Sequence, residues 1–561
     1  MEIKKNKIKL FFAKKAGAEI FFICLLSHNL MYATPPRLTV IMVIDQFGYR
    51  SLQRIKPYVK NGIKLLLDQG IVYHQAIMPH GLPTTGPGHT SLNTGTTPHN
   101  HGIVSNKWFS KEGHKIAVAD DKAFPTFLHE ADGKSPQHIM VNGISDGFAR
   151  NSTRRSPHYV FSVSGKSRSA VCTASALGKA LWFDKDIGMF TSSTYYFEKL
   201  PAWVNVVNKK QNAYRYNKHL TWKSIFPLKS NAYTAVAPEG YAFTSEKATL
   251  VNKTFQVTQA IKKHNKVSLE KATEKKCVYL ELTPYMNDYI FDCATACVKE
   301  YLLSQKANNM LLWVCISSID KVGHMMGPDS YEVLDSLYHL DKQIAHFMKK
   351  IEKVVKREDT LFVLTADHGM AQIPEQAYKK GFLHARRHKK SELLKELNER
   401  IKEKFAITDA CIDVQAANVY FDHTKIDAKK VAILQMAKKI LREKEYIKNV
   451  WTYHELATLP VEKKSIESFF KNQLFANRSG DLIYQIMPNC LIDEYASGAS
   501  HESPYHDNIH IPLILYQKGS LEKKQITKKV FATQLAGTLS AILEIPGPDI
   551  ATEEILPDID R

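Results

Sequence analysis

Cysteine is scarce, with eight residues in a chain of 561. Cys293 and Cys297 share a helical face but have no Cys/His company of zinc-finger type, which argues against a structural thiolate zinc site. Cys315 lies inside an apolar run, where a thiol packs as core. One or two disulfides stay open to an exported chain. Long apolar stretches are nearly missing as well. The one that stands out, "AEIFFICLLSHNLMYA" at residues 18–33, is shorter than the roughly 20 apolar residues a membrane helix needs. It follows a lysine-rich start (Lys4, Lys5, Lys7, Lys9, Lys14 and Lys15), so residues 1–33 read as a signal peptide, with an uncleaved N-terminal anchor as the second reading. No later stretch is long enough to span a bilayer, and the mature chain is expected in an exported compartment, periplasmic or secreted. Low-complexity tracts and evident internal repeats are absent too, which argues against a chain dominated by disorder. Acidic residues are outnumbered, 56 against 76 Lys plus Arg, for a formal charge of +20. That excess favours anionic substrates or surfaces. Many of the lysines nevertheless scatter in pairs over apparent helix surfaces, as at Lys262-Lys263, Lys389-Lys390 and Lys429-Lys430.

What is present is a set of short, nearly unbroken apolar runs, each ending in conspicuous polar residues. "LTVIMVID" ends in Asp45, "YVFSVSGKSR" in Lys166 and Arg168, "MLLWVCISSIDKVGH" in Asp320 and His324, and "TLFVLTADHG" in Asp367 and His368. Apolar runs of this length between helix-like segments predict buried strands of a parallel sheet covered on both faces. In open α/β sheets ligands bind beyond the carboxyl ends of the strands, so these runs are expected to deliver their charged groups to one edge. Each residue alone has a plain explanation as a turn, a helix cap or a solvated surface. Together, three aspartates, several histidines and two cations at strand ends compose the inventory of a divalent metal site. Asp320 and His324 are one helical turn apart and share a face. Asp367 and His368, being adjacent, are expected in the turn beyond their strand. The segment "GASHESPYHDNIHIPLILY" adds His501, His506 and His510 just before another apolar run. "LPTTGPGHTS", residues 82–91, sets Thr84 and Thr85 before a Gly-Pro-Gly turn and a helix start. On its own, that pattern is as well explained by a threonine N-cap as by a nucleophile.

The ordered set Asp45, "PTTGPGHTS", "HGIVSN", "DKVGH", "ADHGM" and "SHESPY" resembles the alkaline phosphatase superfamily. The branch is the one shared by type I phosphodiesterase/nucleotide pyrophosphatases and PafA-type alkaline phosphatases, and the resemblance runs from about Leu38 to Leu515. It implies an α/β fold with a central, mostly parallel sheet flanked by helices and carrying inserted cap subdomains. The catalytic domain would span residues 34–561, with insertions at about 110–300 and 371–490. In the second insertion, "SELLKELNERIKEKF" places Leu394, Leu397, Ile401 and Phe405 on one helical face. This helix reads either as part of a gating cap or as one packed on its own small sheet.

The resemblance also implies roles. Thr85, four residues before His89, corresponds to the family's nucleophile, and a helix N-terminus there would favour an alkoxide and an incoming phosphoryl group. His89 is expected to be structural. Two zinc ions are implied, one held by Asp45, Asp367 and His368 with Thr85, the other by Asp320, His324 and His501. His506 and His510 have no ligand counterpart. Asn106 would donate to a non-bridging phosphoryl oxygen, and Lys166 with Arg168 would bind the additional unesterified oxygen of a monoester dianion. The implied reaction is hydrolysis of small-molecule phosphate monoesters through a phosphothreonine, with no nucleic-acid partner. A nucleotide pyrophosphatase/phosphodiesterase is the alternative, along with a phosphonate or sulfate ester hydrolase. A non-catalytic binding member would be expected to have lost a ligand or the nucleophile, and none is missing.

Overall fold

The run Leu38–Ile44, buried at every position, occupies the middle of a nine-stranded sheet. From edge to edge the strands are Lys524–Phe531, Ile71–Ile77, His510–Tyr516, Thr360–Thr365, Leu38–Ile44, Asn309–Ile316, His158–Ser164, Lys179–Asp184 and Met189–Thr191. In this computed structural model the described residues are 35–127, 132–210, 222–227, 229–236, 254–255, 280–415, 417–495, 497–551 and 554–559. The segment read as a signal peptide lies outside them. Among the described residues no helix is long and apolar enough to cross a membrane.

The five strands from Thr360–Thr365 to Lys179–Asp184 are mutually parallel. Their continuous apolar character follows from cover on both faces. The helices Tyr285–Val298 and Ser167–Ala174 both pack on the strands His158–Ser164 and Asn309–Ile316 without contacting each other closely. The first belongs to a layer with the 22-residue helix Tyr331–Glu352, whose Ser330 hydroxyl caps the Val333 N–H at 3.2 Å. The second belongs to a layer with Thr85–Thr94, Ile144–Arg150 and Gln534–Leu543. His510–Tyr516 runs antiparallel to both its neighbours. Such a strand has to enter the sheet at the edge where the parallel strands end, which brings the preceding loop to that edge.

Residues 390–486 build a second layer pair. Four antiparallel strands, in the order Cys411–Gln415, Asn418–Phe421, Leu482–Ile486 and Ile447–Thr452, are covered by the helices Lys390–Phe405 and Lys430–Arg442. The helix Lys390–Phe405 buries Leu393, Leu397 and Ile401 against this small sheet, while Leu394 and Phe405 are only partly covered. The buried stripe is thus rotated by one residue from the one expected, because the sheet receives the i, i+4, i+8 row that begins at Leu393.

The six described cysteines, Cys172, Cys293, Cys297, Cys315, Cys411 and Cys490, are buried free thiols, so no disulfide joins described residues. Cys24 and Cys277 lie outside them.

Candidate metal centre

The four apolar runs end side by side. The strands Thr360–Thr365, Leu38–Ile44, Asn309–Ile316 and His158–Ser164 are consecutive and parallel in the sheet. Asp367 with His368, Asp45, Asp320 with His324, and Lys166 with Arg168 therefore leave from neighbouring carboxyl ends. Asp320 and His324 stand one turn apart on the helix Ser318–Met326. His501 comes from the loop ahead of the antiparallel strand His510–Tyr516.

Two groups of potential ligands result, Asp45–Asp367–His368 and Asp320–His324–His501, with the ligand atoms of each within 4.8 Å of one another. In the first, His368 Nε2 lies 3.3 Å from Asp45 Oδ1 and 3.3 Å from Asp367 Oδ2. In the second, His324 Nε2 lies 3.2 Å from Asp320 Oδ1 and 3.2 Å from His501 Nε2. The groups are neighbours, since the rings of His368 and His501 stack with centroids 3.7 Å apart.

Each histidine is oriented through its other nitrogen. His324 Nδ1 contacts the Ala499 carbonyl at 2.8 Å, His501 Nδ1 that of Pro83 at 2.7 Å, and His368 Nδ1 that of Gly369 at 2.9 Å. Donation from Nδ1 leaves Nε2 as the lone-pair atom facing the cluster, the arrangement found behind metal-bound imidazoles. The donor set fits a divalent cation on a further observation. Asp45 Oδ1, Asp367 Oδ2, His368 Nε2 and Asp320 Oδ1 are all buried without a hydrogen-bond partner, and buried polar atoms of this kind demand one.

Thr85 opens the helix Thr85–Thr94, every residue of which is buried. Thr84 takes the extended N-cap conformation, but its hydroxyl makes no capping bond, so the simple N-cap explanation of the two threonines fails. Thr85 is tied to both groups by its neighbours. His501 holds the Pro83 carbonyl two residues before it, and Gly88, three residues after it, lies against Asp367. A Cβ on Gly88 would come within 2.6 Å of the Asp367 carbonyl oxygen, so only glycine lets the helix approach this closely. His89 Nδ1 reaches the Thr85 carbonyl at 2.9 Å and Asp367 Oδ2 at 3.1 Å. Burial opposes charge on this imidazole, but the Asp367 carboxylate outweighs it and raises the pKa well above the ordinary value. Asn106 accepts the Gly86 N–H on Oδ1 at 2.7 Å, which leaves its amide NH2 as the donor end.

Lys166 sits between the groups. The residue is 5% exposed, and its ammonium bonds to Asp45 Oδ2 and, at 2.5 Å, to Asp320 Oδ2. Burial disfavours the charge, yet Asp320 and Asp45 overcome the penalty and raise the lysine pKa. Both carboxyls are also buried, and Lys166 holds each below the usual carboxylate range. Arg168 stands in the first turn of the helix Ser167–Ala174, with its Nε buried and unpaired. His506 and His510 point elsewhere. His510 stacks on Tyr49 at 4.4 Å and its Nε2 bonds the His74 carbonyl at 2.8 Å, while His506 packs against His510.

Two supporting residues escape the sequence. Gln473, which caps the C-terminal end of the helix Ile466–Asn472, accepts the Leu82 N–H at 2.9 Å and donates to the Val104 carbonyl, bracing the loop before Thr85 against the loop before Asn106. Gln46 donates its N–H to Asp367 Oδ1 at 3.2 Å. No local pattern announces Gln473, whose partner is 391 residues away. Gln46 carried a signal, a polar residue directly after the strand-ending aspartate.

The profile of the type I phosphodiesterase / nucleotide pyrophosphatase family matches residues 39–510. The chain belongs to this family. Within it, the chain is 28% identical to alkaline phosphatase PhoV of Synechococcus elongatus over 93% of both chains. It is also 28% identical to alkaline phosphatase PafA of Elizabethkingia meningoseptica, over 93% of this chain and 94% of that one. A crystal structure of wild-type PafA superposes with a TM-score of 0.81 at 26% identity, covering 93% of this chain and 99% of the other. The family's α/β architecture, a large and mostly parallel sheet between helices, is the one described above.

Proposed function

We propose that the chain is an exported, zinc-dependent alkaline phosphatase that hydrolyses small-molecule phosphate monoesters through a phosphothreonine at Thr85. The observation that carries this reading is Lys166, a buried cation set between the carboxylates of the two ligand groups. A monoester dianion offers that cation an additional charged oxygen, while the second ester group of a diester offers none. Asp45, Asp367 and His368, with Thr85, would hold one zinc, and Asp320, His324 and His501 the other. Mixed carboxylate and imidazole donors suit zinc. When bound, the pair supplies Lewis acidity at the attacking and leaving oxygens of an in-line displacement.

The chain's own groups do the rest. Thr85 Oγ attacks phosphorus, the Oγ–P bond forms and the ester P–O bond breaks, releasing the alcohol. Water then attacks phosphorus, the Oγ–P bond breaks, and inorganic phosphate leaves. The dipole at the start of the helix Thr85–Thr94 favours negative charge on the threonine and the phosphoryl group, although the Gly86 N–H is taken by Asn106 and residue 87 is a proline. Asn106, Lys166 and Arg168 hold the non-bridging oxygens. The relatives named alkaline phosphatases support the monoester assignment, and the lysine-rich, apolar residues 1–33 support export.

The test is the ratio of kcat/KM for an aryl phosphate against its bis-aryl diester, with zinc-loaded protein. The monoester is expected to lead strongly, and Lys166→Ala to lower the monoester value by about 10- to 100-fold, the worth of one charge-assisted hydrogen bond, with the diester nearly unchanged. A diester lead, or equal losses on both substrates, would assign the site to phosphodiester cleavage.

A further inference from the structure

Gln46 is buried and adopts a left-handed backbone, φ 71°. Residues with a Cβ rarely adopt that conformation, and it persists only where surrounding structure enforces it. Here it turns the Gln46 N–H onto Asp367 Oδ1, a carboxylate of the first ligand group. The side chain goes the other way. A Cβ built on Gly323 would collide with the Oε1, Nε2 and Cδ atoms of Gln46, so the carboxamide fills the notch that this glycine leaves in its helix. Gly323 lies between Asp320 and His324, two ligands of the second group. The amide oxygen is buried there without a hydrogen-bond partner.

We infer that Gln46 is a positioning residue that couples the two metal groups: its main chain fixes Asp367 in one, and its carboxamide wedges the helix that carries Asp320 and His324 in the other. The inference rests on the reading that both groups hold metal. A single residue adjacent to Asp45 then sets how far the second pair of helical ligands stands from the first.

Zinc titration against a competing chelator, on the purified full chain, separates the two readings. Wild-type protein is expected to take two ions, and fewer than two would sink the two-metal reading itself. Gln46→Gly keeps the left-handed backbone at no strain and deletes the wedge. It is expected to weaken one of the two zinc sites by about 10- to 100-fold, the usual consequence of losing an outer support, and to leave the melting temperature of the metal-free protein unlowered. Gly323→Ala drives the carboxamide from its notch and is expected to weaken zinc in the same way, and if that variant does not fold, Gln46→Gly decides alone. Two tight sites in Gln46→Gly, or weakened zinc accompanied by a matching fall in the metal-free melting temperature, would overturn the coupling role.

Discussion

The two ligand groups share a donor chemistry and differ in how they are held. Asp45, Asp367 and His368 leave from adjacent strand ends and are 0 to 1% exposed. Asp320, His324 and His501 come from a helix and a long loop, and the His324 side chain is 40% exposed. The first group is part of the sheet's own framework. Its Asp367 also pairs with His89 and the Gln46 N–H, so it would be anchored whether or not a cation is bound. The second borrows its geometry from elements that meet only in the tertiary structure, with the Ala499 and Pro83 carbonyls fixing its two imidazoles.

The largest expected effect falls on the threonine that opens the helix beside both groups. Thr85→Ala should lower kcat/KM for an aryl phosphate by about 10^3-fold or more while the protein still binds two zinc ions. Acid-quenched wild-type protein should carry phosphate on Thr85 and the variant none, and a phosphorylated variant would remove Thr85 from the nucleophile's role. Next comes the contrast in anchoring. Asp367→Ala breaks a fully buried pair with His89 and should cost about 3 to 5 kcal/mol of folding stability, whereas His324→Ala should cost less than about 1 kcal/mol. Equal losses in denaturant unfolding would erase the distinction between framework and borrowed group.

Glu332 sharpens the comparison from outside, as a buried carboxyl serving neither group. Burial pushes its pKa from 4.5 up to about 7, with Asp335 adding to the rise. An acid whose folded pKa is raised destabilises the fold above its unfolded pKa. The penalty is nil below about pH 4, grows between there and pH 7, and is constant beyond. Glu332→Gln should therefore gain up to about 3 kcal/mol at pH 8 and nothing at pH 4, read from unfolding curves at the two pH values. No gain at pH 8 would mean that the carboxylate is compensated. The smallest effect is kinetic. Chelator should reach the second group first through His324, whose side chain is 40% exposed, and strip it about 10-fold faster than the first, giving two phases of zinc release from wild-type protein, and a single phase would argue that the two sites behave as one.

Much of this was legible beforehand because a buried strand leaves a strong mark. "LTVIMVID" and "TLFVLTADHG" are apolar at nearly every core position, with only threonines interrupting them, since both faces of their strands are covered. The charged residues after them lie at the sheet edge by chain direction alone. The helical spacing of Asp320 and His324 was equally plain. The helix Lys390–Phe405 was harder, because Leu393 and Leu394 are adjacent leucines and only contact with the small sheet selects Leu393.

The sequence by itself determined which side chains arrive at the edge, since strand periodicity and chain direction are local properties. The tertiary structure decided which of them meet. His501 joins Asp320 across 181 residues because an antiparallel strand has to enter at that edge. Lys166 reaches both Asp45 and Asp320 because their strands happen to be sheet neighbours. Gln46 and Gly323 touch because a missing Cβ leaves room for an amide. Strand order and the fit of surfaces depend on the whole chain packing at once, and no local pattern encodes them.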